Sequence, residues 1–142
     1  MFIDKDRTQL RQFYFQSWDK HLRQQPMEPL EAVIANLISQ HPEYHAFFND
    51  PAANQDKDFT PEMGKTNPFL HLGMHISIQE QLSTQRPAGI NSLYQALCTK
   101  LADSHAAEHQ MMDCLGMMLW QAQSENRAPD ETTYLECIKK LL

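Results

Sequence analysis

The sequence predicts an all-α fold: a single-domain irregular bundle of about five to seven helices over residues 1–142. Three observations carry that expectation. Apolar residues recur at helical spacing in one segment after another. Prolines and capping residues stand where those segments begin, as in Glu28-Pro29, Asn67-Pro68 and Pro129-Asp130. No stretch alternates apolar and polar residues cleanly enough for a strand, and no internal repeat is evident.

The elements follow in order. From about Asp6 to Arg23, the residues Leu10, Phe13, Tyr14, Ser17, His21 and Leu22 fall at helical spacing, with His21 inside the stripe. Pro29 suits the first position of a second helix, Glu28 the cap before it, and Leu30, Val33, Ile34, Leu37 and Ile38 carry it to about Gln40. Pro42 disfavours the helical conformation at His41, so the second helix stops there and a short third one, PEYHAFF, begins. A long polar connection, around residues 49–66, separates it from the helix opened by Asn67-Pro68. Beyond the RPAG break, Ile90, Leu93, Tyr94, Leu97 and Leu101 are in register, and Asp103 or Ser104 caps a helix running to about Ser124. Pro129-Asp130 starts the last helix, with Tyr134, Leu135, Ile138 and Leu142 facing inward.

Composition excludes several function classes. Apolar residues make up 42% of 142 and only four are glycine, which describes a folded globular domain rather than a disordered chain. Twelve basic against eighteen acidic residues give a formal charge of −6 with no basic run, so neither nucleic acid nor an anionic membrane is an expected partner. No apolar run reaches the roughly 18 residues of a membrane span. The three cysteines, Cys98, Cys114 and Cys137, share no C-x-x-C spacing and read as reduced thiols. MFIDKDRTQL lacks the pattern of a signal peptide, and the expected location is the bacterial cytoplasm. Nothing indicates a nucleotide or organic cofactor.

The histidines are the informative residues. Six of seven fall into H-x-x-x-H pairs, at 41/45, 71/75 and 105/109; random placement would give roughly 0.3 such pairs. Residues four apart share a helix face, the spacing at which two imidazoles hold one cation. His71 and His75 share theirs with Ile78 and Leu82 in a segment apolar almost all round. His105 and His109 share theirs with Met112, Gly116 and Leu119, with Glu108 inside the same arc. A buried imidazole needs partners for both nitrogens and a buried carboxylate needs them more; one cation satisfies all of them. The expected ligands are therefore His71, His75, His105 and His109, with Glu108 as a ligand, a general base on metal-bound water, or an orienter of a ligand. Without a thiolate in the pattern, the donor set suits Zn²⁺ or a non-haem Fe or Mn. His45 and Glu31 are further candidates, each with a bland alternative: capping and packing for the 41/45 pair, service to its own helix N-terminus for Glu31.

Two motifs carry less. HAAEH matches the H-x-x-E-H of inverted zinc proteases, but no substrate-binding strand accompanies it. Met111, Met112, Met117 and Met118 near Cys114 suit core packing or a partner surface better than copper. The competing function is a non-catalytic adaptor with structural core histidines, working through self-association or a protein partner on the Met/Trp-rich segment 111–120, around Met117, Met118 and Trp120. Neither reading fixes a reaction.

The strings MEPLEAVIA, HPEYHAFF, TNPFLHLGMHISIQEQL, RPAGI, EHQMMDCLGMMLWQAQ and YLECIKKL, in that order from Arg7 to Leu141, resemble the proteobacterial domain-of-unknown-function family 1841. The resemblance implies a single-domain cytoplasmic protein in which the three histidine segments belong to the family pattern. It implies no activity.

Overall fold

The structure is a computed structural model that describes residues 2–59 and 67–142. Among the described residues there are eight α-helices, one 3-10 turn and no strand, so the fold is all-α. No helix among them is long and apolar enough to cross a membrane. The chain divides into two compact units, Met1–Gly73 and Met74–Leu142.

The first unit contains α1 (Phe2–Leu22), α2 (Pro29–Ser39), a 3-10 turn (Pro42–Tyr44) that runs into α3 (His45–Phe48), α4 (Pro51–Asn54), and the first turns of α5 (Pro68–Thr84). α2 begins as its residues dictate: Pro29 stands at the first helical position, and the Glu28 N–H donates to Glu31 Oε1 at 2.8 Å. Its apolar residues Ile34, Ala35, Leu37 and Ile38 are buried. α5 starts at the expected cap, with Asn67 Oδ1 accepting from the N–H groups of Phe69 and Leu70 at 3.0 and 3.3 Å.

Phe69 is the hub of this unit. Its ring lies 5.5–5.8 Å from those of Tyr14, Phe15, Phe47 and Phe48. The Arg11 guanidinium sits 4.5 Å from its centroid. Arg11 also donates to the carbonyls of Gln55 and Lys57 at 3.1 and 2.8 Å. These bonds correct the expected stripe on α1. Arg11, Tyr14, Phe15, Ser17 and Trp18 are buried, whereas Leu10, His21 and Leu22 are exposed. Arg11 and Trp18 can face inward because their polar atoms find partners there, Trp18 Nε1 donating to Asn49 Oδ1 at 2.9 Å.

The polar connection is not structureless where it is described. Asp50 caps α4, accepting from the Ala53 N–H at 3.2 Å, and Asn54 Nδ2 donates to the Phe47 carbonyl at 2.9 Å. Residues 60–66 of that connection lie outside the described residues. Two four-residue helices, α3 and α4, account for a helix total slightly above the expected five to seven.

The second unit holds the remainder of α5, then α6 (Ile90–Leu101), α7 (Ser104–Ser124) and α8 (Glu131–Lys139), with α6 and α8 packed on α7. Its core joins Ile78, Ile90, Leu97, Met111, Met112, Leu115, Met118, Tyr134 and Ile138. The RPAG break ends in Gly89, whose φ of +92° favours glycine and which caps α6. Asp103 rather than Ser104 caps α7, and Asp130 caps α8. Cys114 and Cys137 are joined by a disulfide between α7 and α8, which corrects the expectation of three reduced thiols; Cys98 remains a thiol. Thiol titration of the protein unfolded without reductant should therefore count one thiol per chain, and a count of three would contradict the bond.

Tyr134 is buried at the foot of α8, its hydroxyl donating to Gln81 Oε1 at 2.7 Å. Burial pushes this phenol from 10.0 up to about 12, against the smaller opposing effect of the Gln81 bond. The fold thus favours the neutral phenol. That stabilisation is complete below about pH 10 and is lost as the pH climbs toward 12, a change on the order of 2 kcal/mol. Denaturation midpoints from pH 9 to 12 should fall less steeply in Tyr134→Phe than in the wild type; an identical slope would remove Tyr134 from the account.

Candidate metal centre

The centre grows from the start of α7. The carboxylate of Asp103 accepts from the N–H groups of His105 and Ala106 at 2.9 and 3.4 Å, which fixes where the helix begins and hence the face on which His105 and His109 stand. Their ring centroids are 4.2 Å apart. Glu108, between them in sequence, is buried.

α5 brings His75 to the same place. This ring is fully buried, with 0% of its surface exposed, and lies 5.2 Å from the His105 ring and 4.9 Å from the His109 ring. One ring nitrogen from each of His75, His105 and His109 falls within 4.8 Å of the others. Three imidazoles from two helices so converge.

Glu108 acts on His75. Its Oε1 lies 3.1 Å from His75 Nδ1, and Gln79 Nε2 approaches the same oxygen at 3.5 Å. With Glu108 ionised, Nδ1–H donates to it, and the tautomer so fixed leaves the lone pair on Nε2. A carboxylate that holds one imidazole nitrogen and so aims the other is the usual support of a histidine metal ligand. Glu108 fits the role of orienter.

The other expected site residues lie in the first unit. His71, in the part of α5 that belongs there, has its Nε2 3.2 Å from Nε2 of His41. His45 donates from Nε2 to the Ile38 carbonyl at 3.0 Å, and its ring packs 4.8 Å from Trp18. Glu31 accepts from Lys20 Nζ at 2.7 Å as well as from the Glu28 N–H. Both bonds hold its carboxyl below the usual range, the Lys20 bond foremost. For His45 and Glu31, packing and helix-end service account for every bond described. His41 does not cap the turn it precedes, since its side chain makes no capping bond there.

Residues 6–140 match the family described as Domain of unknown function (DUF1841). The chain belongs to that family. No curated protein and no solved structure matches it. DUF1841 membership thus accounts for nearly the whole chain and leaves the chemistry to be read from the residues.

Proposed function

We propose that this DUF1841 protein binds one divalent transition cation through Nε2 of His75 and a ring nitrogen each of His105 and His109, with Glu108 as the residue that positions His75. The observation that carries the reading is the convergence of three histidines, one of them fully buried and held by a buried carboxylate. An all-nitrogen set of this kind suits Zn²⁺, or non-haem Fe or Mn. His105 and His109 are half-buried.

Cobalt substitution tests the site and separates ligand from orienter. Metal-free full-length protein titrated with Co²⁺ should develop the intense visible bands of a nitrogen-ligated, low-coordinate ion. His109→Ala should lose them. Glu108→Gln should keep them with affinity lowered by about 10- to 100-fold, the cost typical of removing a ligand's support. A wild-type spectrum that stays that of aqueous cobalt contradicts the reading, and complete loss in Glu108→Gln makes Glu108 a ligand instead.

One observation supports the adaptor reading as a second: Trp120 and Met117 are 67% and 54% exposed on α7, while Met111, Met112 and Met118 are buried. A large aromatic and a methionine side by side on a surface suit a partner or a second copy. Sedimentation of wild type and Trp120→Ala over a range of concentrations decides whether that copy is its own.

A further inference from the structure

The second unit holds a cavity of about 400 Å³ that the metal reading leaves unused. Gln81 of α5, Met118 of α7, Pro129 and Tyr134 of α8 line it, together with Arg86 and Glu131. Its floor is apolar, for Met118 and Tyr134 are 7% and 1% exposed. The Tyr134 hydroxyl is already engaged with Gln81 Oε1 at 2.7 Å, so what it offers the cavity is its ring. The volume falls in the range of pockets that hold small molecules.

The charges at the rim discriminate. Arg86 and Glu131 are both exposed, carry opposite charge and line the same cavity. Among the described residues, neither side chain enters an ion pair or a hydrogen bond, with the other or with a neighbour. Asp130, beside Glu131, is by contrast taken up by Arg127 at 4.0 Å and by the cap of its own helix. An arginine recognises a carboxylate through paired N–H donors, and a carboxylate recognises an ammonium group. A ligand that carries both groups answers both charges, where a simple anion or a simple cation leaves one of them opposed.

We propose that this cavity binds a free α-amino acid with an apolar side chain. The carboxylate of the ligand pairs with Arg86 and its ammonium group with Glu131. Its side chain lies on Met118 and the Tyr134 ring, which removes apolar surface from water on both sides.

L-Leucine is the probe, titrated at low ionic strength into full-length protein labelled at its methionine methyl groups and followed by NMR. The Met118 signal is identified by its loss in Met118→Leu. Leucine should shift that signal saturably. Leucinamide, which lacks the carboxylate, and isocaproate, which lacks the amine, should each bind about 10- to 100-fold more weakly, the worth of a hydrogen bond to a charged group. Arg86→Gln and Glu131→Gln, both at exposed positions, should weaken leucine binding by a similar factor with unchanged circular dichroism. Chelation of a bound metal by leucine also uses its amine and carboxylate but is blind to Arg86→Gln, which separates the two. A Met118 signal indifferent to leucine overturns the proposal. So does equal affinity for leucine and isocaproate, or leucine binding that neither substitution weakens.

Discussion

Replacing His75 with alanine should remove most of the response of this protein to chelator. A ligand that binds only the folded state stabilises it by about 4 kcal/mol at a thousand times its Kd. For a chain of 142 residues that is a shift in Tm on the order of 10 °C. The wild type should lose that increment on addition of a strong chelator. His75→Ala and His109→Ala should lose most of it, because three ligands reduced to two hold the ion far less well. His75 is fully buried, so its truncation also costs stability of its own. The difference between melts with and without chelator removes that contribution, since it is common to both. A wild type indifferent to chelator, or variants that still respond as it does, would contradict the ligand assignment.

Phe69→Ala should be among the most destabilising single substitutions in the first unit. The ring is buried against four aromatic neighbours and under a guanidinium. Truncating a buried phenylalanine costs about 3–5 kcal/mol, as lost transfer energy and as the cavity left behind. The cation–π contact with Arg11 adds about 0.5–1 kcal/mol. The consequence extends along the chain, because Arg11 also holds the carbonyls of Gln55 and Lys57. Leu70, the next residue, is 62% exposed, and Leu70→Ala should stay within about 0.5 kcal/mol. Urea denaturation of the two variants checks both values. A cost below about 1 kcal/mol for Phe69→Ala would show that the cluster collapses around the gap or is not packed as described.

Helix placement was legible because its signals are local. Asn67 and Asp130 sit within three residues of the N–H groups they accept from, Glu31 accepts from the Glu28 N–H three residues before it, and Pro29 takes the first helical position. The inward face of α1 was not, since Arg11 is buried only by virtue of carbonyls more than forty positions away. The histidines show both cases. The 105/109 pair stays together on one helix face, and its rings lie against that of His75. The 71/75 and 41/45 pairs regroup: His71 meets His41, thirty residues earlier, and His45 turns to a carbonyl. Spacing reports which residues share a face, and only tertiary packing decides what that face meets. The Cys114–Cys137 bond spans 23 positions with no motif, and with it goes the reduced-thiol argument for a cytoplasmic setting.

A metal held by His75, His105 and His109 must be present in the isolated protein or be taken up by it. Elemental analysis by mass spectrometry is made on tag-free protein beside a His105→Ala/His109→Ala double variant. The wild type should carry near-stoichiometric zinc, iron or manganese that the double variant lacks. Folded wild type that carries no metal, and takes up none when supplied with zinc or with ferrous iron, would contradict it.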